Sequence, residues 1–413
     1  GIDPIGLAAR TGVEPDLAGA AALVARYAAG YPGLRCVVVD ALPYHQAGGS
    51  DAEELGCAVA AGVAYLRALT DAGLDVDAAA GQLEFRYAVT ADQFLGIAKL
   101  RAARRLWARV TEVSGARSAA QRQHAVTSPA MMTRRDPWVN LLRTTVACFA
   151  AGIGGADAVT VAPFDAAIGL PTAFTRRIAR NTQSILLEES RLAVVIDPAG
   201  GSWYVESLTD ALAHKAWAVF TELERAGGIV AALASGELAE RLAGTWARRS
   251  ANLATRVDAI TGVSEYPNLA ETPVIREPLP DEPRGGLPRV RYAAAYEEFR
   301  DRTHAPTVFL ATLGPVAAHS ARAGFAANLL QAGGIDTPTG SPDAFTGTSV
   351  VCLCGTDTAY AAEATEVITR LKQAGATTVL LAGPPNDAYP VDLFLYRGCD
   401  VLAALSTVWE VAR

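Results

Sequence analysis

Lysine is almost missing from this chain: it stands only at Lys99, Lys215 and Lys372 among 36 basic residues. No run of basic residues alternates with aromatics, and the net charge is −7 over 413 residues. That balance excludes nucleic-acid binding as the organising function. No apolar run reaches membrane-spanning length, and nothing at the start has the make-up of a signal peptide. The five histidines, His45, His124, His214, His304 and His319, are too dispersed for zinc spacing. The six cysteines, Cys36, Cys57, Cys148, Cys352, Cys354 and Cys399, contain no C-x-x-C pair and sit in apolar patterns. They are expected as buried free thiols, which places the protein in a reducing cytoplasm.

What is abundant is small and apolar. Hydrophobic residues make up 51% of the chain and glycine occurs 37 times, enough for two or three packed domains. Residues 1–263 repeat a strand-then-helix rhythm. Strands are expected at 36–40, 83–89, 124–127, 158–162 and 192–197, and helices at 52–72 and 94–110. In the second helix Lys99, Arg101, Arg104, Arg105 and Arg109 are assigned to the wet face. Strands alternating with helices imply right-handed βαβ units around a parallel sheet. A (β/α)8 barrel needs eight strands. Five, with Gly1 in place of a methionine, suggest a chain that begins partway through a barrel.

Residues 264–306 change character. Pro267, Pro273, Pro278, Pro280, Pro283 and Pro288 interrupt helical patterns and Gly285-Gly286 loosens the chain, so an extended surface linker is expected. Residues 307–413 resume the alternation. Strands are expected at 308–313, 350–354 and 378–382, with another at 400–402, and helices at 323–331, 359–373 and 408–413. Such a unit suits a flavodoxin-like doubly wound sheet, whose ligand crevice lies at the C-terminal strand ends. Pro198-Ala199-Gly200-Gly201 makes a tight turn, and Ser202 is placed to cap a following helix.

Several blocks resemble one family. Arg177-Ile178-Ala179-Arg180-Asn181-Thr182-Gln183, followed by Glu188-Glu189 and by Asp197-Pro198-Ala199-Gly200-Gly201-Ser202-Trp203-Tyr204-Val205-Glu206, is similar to the methylmalonyl-CoA mutases. The 97–107 run Ile-Ala-Lys-Leu-Arg-Ala-Ala-Arg-Arg-Leu-Trp, Phe164-Asp165 and Leu170-Pro171-Thr172 extend the match over most of residues 35–263. The resemblance implies a partial (β/α)8 TIM barrel, which in the family threads coenzyme A. A linker and a flavodoxin-like cobalamin-binding domain then follow. Some bacterial members are heterodimers of a catalytic large subunit and a homologous small subunit that has lost its site.

The ligand-facing positions depart from the family pattern. For the cobalt-ligand motif D-x-H-x-x-G, Val316, Ala318 and Ala321 stand at Asp, His and Gly, with His319 one residue out of register. S-x-L aligns with Cys354-Gly355-Thr356, and a Gly-Gly pair aligns with Gly383-Pro384. In the barrel, Y-H-M-Q-E-A-G-A shortens to Tyr44-His45-Gln46-Ala47-Gly48-Gly49, which puts Pro43 at the catalytic position. T-N-A-F-D-E-A becomes Val161-Ala162-Pro163-Phe164-Asp165-Ala166-Ala167. His124 matches a family histidine near the pantetheine region. Turns and packing motifs survive while ligand contacts do not. The pattern therefore implies the non-catalytic small subunit, with adenosylcobalamin on a homologous catalytic large subunit and not on this chain. No catalytic or metal residue is assigned, and His45, His124 and His319 remain as residual pocket residues. An active mutase using His45 and His319, or a CoA-binding regulatory module, are the alternatives.

Overall fold

The computed structural model describes residues 1–31, 33–117, 120–281 and 283–412. They form two compact units. The first comprises Gly1–Met132, Pro137–Ala247 and Val274–Arg291, and the second Thr133–Asp136, Arg248–Pro273 and the chain from Tyr292 onward.

In the first unit four parallel strands stand in sequence order: β1 (Val37–Asp40), β2 (Leu83–Val89), β3 (Arg122–Thr127) and β4 (Ala158–Thr160). The crossovers carry the helices Asp51–Asp71, Gln93–Val113 and Val139–Ile153. Right-handed crossovers between strands in sequential order put every helix on one face of the sheet. Burial follows: Leu83, Phe85 and Tyr87 are covered, and Phe85 meets Trp107 of the second crossover helix at 4.7 Å between ring centroids. The alternate positions, Glu84, Arg86, His124 and Thr160, line an opposite face that is polar and only partly covered.

In the second unit five parallel strands run in the order β6-β5-β7-β8-β9. They are β5 (Val308–Thr312), β6 (Thr339–Gly340), β7 (Val350–Cys354), β8 (Thr378–Ala382) and β9 (Leu393–Leu395). Every residue of β5, β7 and β8 is buried, which explains why these strands read as unbroken apolar runs. The helices that follow β5, β7 and β9 are Val316–Gln331, Asp357–Gln373 and Val401–Val411; Arg413, included in the expected last helix, lies outside the described residues.

Four sequence expectations are corrected. Residues 192–197 form turns, with Val194, Val195 and Ile196 72%, 62% and 97% exposed. A β-branched run becomes a strand only where a neighbour supplies ladder partners, and the run is bracketed by left-handed Arg191 (φ 52°) and Asp197 (φ 47°). Residues 400–402 open a helix, because the Asp400 side chain caps Ala403 N at 2.9 Å and Val401, Ala404, Leu405 and Val408 share its buried face. Ser202 sits at the N-cap of Trp203–Arg225 without a side-chain cap bond; Glu206 Oε1 instead accepts from Gly201 N at 3.1 Å. Residues 264–306 are divided between the units and include the helix Ala294–Arg300, in which Tyr296 and Glu297 are buried. Their backbone is engaged: Leu287 N donates to Ala9 O at 2.7 Å, and Leu170 N donates to Glu277 O at 2.8 Å. At Gly286 the contact leaves no room for a side chain, since a Cβ there would lie 2.2 Å from Ala9 O.

Candidate functional sites at the strand ends

Ligands of parallel α/β proteins bind beyond the C-terminal ends of the strands. In the first unit that edge is built by three segments. After β1 the short helix Leu42–Gln46 carries His45; after β2 comes Thr90; after β3 comes Ser128. The helix Asp51–Asp71 begins beside them, fixed by a capping box in which Ser50 and Glu53 satisfy each other's backbone amides.

These segments share one buried polar network. His45 Nε2 lies 2.6 Å from Ser128 Oγ, and His45 Nδ1 lies 3.4 Å from Glu54 Oε2. Glu54 Oε1 accepts from Ala88 N at 2.7 Å, while Oε2 is paired with Lys99 Nζ. Lys99 also reaches Asp51 Oδ1 at 2.9 Å and Ala88 O at 2.8 Å. Lys99, Glu54 and Ser128 have no exposed surface, and His45 is 2% exposed. Burial alone pulls the lysine pKa down, but Asp51 and Glu54 outweigh it and the net shift is upward. The ammonium is therefore held charged between two carboxylates.

Ser128, His45 and Glu54 stand in the role order of a nucleophile–base–acid triad. The arrangement does not support that chemistry, because Ser128 has no solvent face and Lys99 already occupies the carboxylate. It ties the helix after β1 to the ends of β2 and β3. Lys99, assigned from sequence to the wet face, is thus completely buried. The signal was its register: Lys99, Ala103, Leu106 and Val110 recur at helical spacing and all are buried. Glu54 and Ser128 carried no motif of their own and were missed.

His124 lies on the opposite, polar face of the sheet. Its Nε2 is 2.7 Å from Thr160 Oγ1 and its Nδ1 is 3.9 Å from Glu84 Oε1. Burial, then the neighbouring Arg86, lower its pKa from the usual 6.5, so it is neutral near pH 7. Of the family-like framework pair, Phe164 stacks on Trp138 with centroids 4.5 Å apart, and buried Asp165 accepts from Arg276 Nε at 2.5 Å.

In the second unit His319 is in the first turn of Val316–Gln331, partly exposed, and its buried Nδ1 finds no partner among the described residues. Val316, at the position of the family's aspartate, is 72% exposed. Thr356 spends its hydroxyl capping Asp357–Gln373, accepting from Ala359 N at 3.1 Å. Between the ends of β7 and β8 stands Tyr360, 2% exposed, its hydroxyl accepting from Gly355 N at 2.9 Å. The same oxygen lies 2.9 Å from Ala382 O and 3.1 Å from Leu353 O, which share its proton. No hydrogen bond or ion pair among the described residues links any two of His45, His124 and His319. No group of three or more His, Cys, Asp or Glu able to hold a metal ion occurs among the described residues. No helix among them is long and apolar enough to cross a membrane.

Fold and strand ends define a two-unit parallel α/β protein in which the first sheet edge is bonded side chain to side chain and the second chiefly side chain to backbone. The comparisons give this class a family. The methylmalonyl-CoA mutase profile matches residues 10–330, and the chain belongs to that family. It is 60% identical to the methylmalonyl-CoA mutase small subunit of Streptomyces virginiae, over 99% of this chain and 70% of that one. Against the small subunit of Propionibacterium freudenreichii subsp. shermanii it is 41% identical over 100% of this chain and 68% of the relative. The large subunit of Porphyromonas gingivalis is 39% identical, but over 59% of this chain and 34% of its own length.

Proposed function

We propose that this chain is the non-catalytic small subunit of an adenosylcobalamin-dependent methylmalonyl-CoA mutase in the cytoplasm. It stabilises a homologous large subunit that interconverts methylmalonyl-CoA and succinyl-CoA. In this reading the first sheet is an arc of a (β/α)8 barrel. Its sequential strand order, one-sided helices and polar opposite face support that assignment. The second sheet, in order 2-1-3-4-5 along the chain, is a flavodoxin-like domain derived from a cobalamin-binding one.

The observation that carries the reading is that the polar side chains at the two strand edges, His319 apart, are already engaged within the chain. The residues of the second unit do not fit cobalamin: His319 has no carboxylate bonded to it, the Thr356 hydroxyl is committed to a helix cap, and Tyr360 stands between β7 and β8. In the first unit His45 is engaged from both ring nitrogens and has no exposed reactive atom to offer a substrate. A heterodimer of homologous chains would meet across a pseudo-twofold interface.

The test is co-expression with a large subunit. Mutase activity and one cobalamin per heterodimer, retained by the large subunit after separation, are expected; this chain alone is inactive. Turnover by this chain alone, or cobalamin retained on it after separation, would falsify the proposal.

A further inference from the structure

In the order β6-β5-β7 the chain leaves β5 in opposite directions, so the point between β5 and β7 is where a doubly wound sheet opens its ligand crevice. Here that point is closed. Leu313 N donates to Cys354 O at 2.9 Å, and a Cβ on Gly355 would lie 3.0 Å from Leu313 Cβ. Tyr360 fills the next gap, between β7 and β8, where a Cβ on Gly383 would meet Leu381 Cδ2 at 3.0 Å. Over its ring stands the Arg322 guanidinium, 5.0 Å from the centroid, which also donates to Gly355 O at 2.8 Å. Tyr389 meets the ring edge-on at 6.0 Å.

We infer that Tyr360 is a built-in occupant of the gap next to the switch point: a planar aromatic group with a polar tip, supplied by the chain itself at the C-terminal strand edge along which a doubly wound sheet otherwise receives a ligand. Three features carry this. The ring is walled by a cation on one face and an aromatic edge on another, as a bound aromatic ligand would be. Its oxygen accepts from the first amide after β7 and lies within hydrogen-bond distance of Leu353 O near the end of β7 and Ala382 O at the end of β8, backbone groups a ligand's polar atoms would otherwise meet. At Gly355 a Cβ would come within 3.3 Å of the Tyr360 ring, so the ring packs directly on bare backbone there. The consequence is a second unit that reaches its final packing without any small molecule. This does not depend on which subunit the chain is, so it can fail while the proposed function stands.

The experiment replaces the occupant in the full chain. Tyr360→Ala lowers the unfolding midpoint of the second unit by about 10 °C, as deletion of a buried aromatic does. Millimolar p-cresol, the missing side chain as a free molecule, restores most of that loss. Toluene restores less, and neither moves the wild type. An unchanged midpoint in Tyr360→Ala, or equal p-cresol responses in variant and wild type, overturns the inference. If Tyr360→Ala does not fold, Tyr360→Phe decides. Its ring still fills the slot but its hydrogen bonds are gone, so the midpoint falls and p-cresol does not restore it; an unchanged midpoint overturns the inference.

Discussion

The two sheets close their C-terminal edges with opposite chemistry. The first uses ions: a lysine held between half-buried Asp51 and buried Glu54 with His45 and Ser128 behind it, all but Asp51 out of contact with water or nearly so. The second uses one neutral phenol bonded to backbone. Buried ion pairs are costly to desolvate and costly to break, whereas a satisfied hydroxyl in an apolar core is cheap to hold. The difference shows in what each joins. The ionic network ties side chains from three helices to the ends of β2 and β3, while Tyr360 closes a gap between neighbouring strands of one tightly packed sheet.

The comparison breaks most visibly at Lys99. Lys99→Met leaves Asp51 and Glu54 without their cation, and the first unit is expected to lose about 3–5 kcal/mol. Urea unfolding followed by the fluorescence of buried Trp107 measures it. Adding Asp51→Asn and Glu54→Gln to Lys99→Met recovers much of the loss, because the uncompensated charges go with the cation. A single substitution no more costly than the triple would mean that the network is not ionic in the folded state.

A pH scan sharpens the contrast. Asp3 is bonded to Tyr65 and Gly6 N, and burial raises its pKa from 3.8 to about 6. The folded state thus holds the proton more tightly than the unfolded chain. Its contribution is complete below pH 4 and is lost as pH rises through about 6, for a decline of about 2–3 kcal/mol. Asp3→Asn should abolish that slope in the first unit. Burial pushes the Tyr360 phenol up, away from that range, so the seal of the second unit should not follow. An undiminished slope in Asp3→Asn would assign the titration elsewhere.

The smallest effect is expected at Arg322, part of the wall around the tyrosine. Arg322→Met keeps the apolar stem but removes the cation over the ring and the bond to Gly355 O, costing about 1 kcal/mol. Calorimetry of the second unit reads it. A loss as large as that of Lys99→Met would erase the distinction between an ionic and a neutral seal.

Much of this organisation was legible in the sequence. β2, β7 and β8 are continuous or alternating apolar runs bounded by turn residues, and they form over the expected residues. The family match likewise rested on turn and packing residues. What was not legible depended on partners distant in the chain. Lys99 looked solvent-facing by residue type, and only the convergence of Asp51, Glu54 and Ala88 makes its burial tolerable. Residues 192–197 have strand composition but pair with no strand among the described residues. Tyr360 reads as one more aromatic on a helix; its role comes from carbonyls that the sheet brings to it from two strands.

The turn at 192–197 has a consequence for handling the protein. Val194, Val195 and Ile196 present consecutive β-branched side chains to water, the composition that templates intermolecular cross-β pairing. Arg191 and Asp197 flank the run as charged gatekeepers, and Asp197 is moored to Arg101 on the neighbouring helix. Colloidal behaviour therefore hangs on that mooring. High salt, which loosens it, should favour clouding of a concentrated solution well before either unit unfolds.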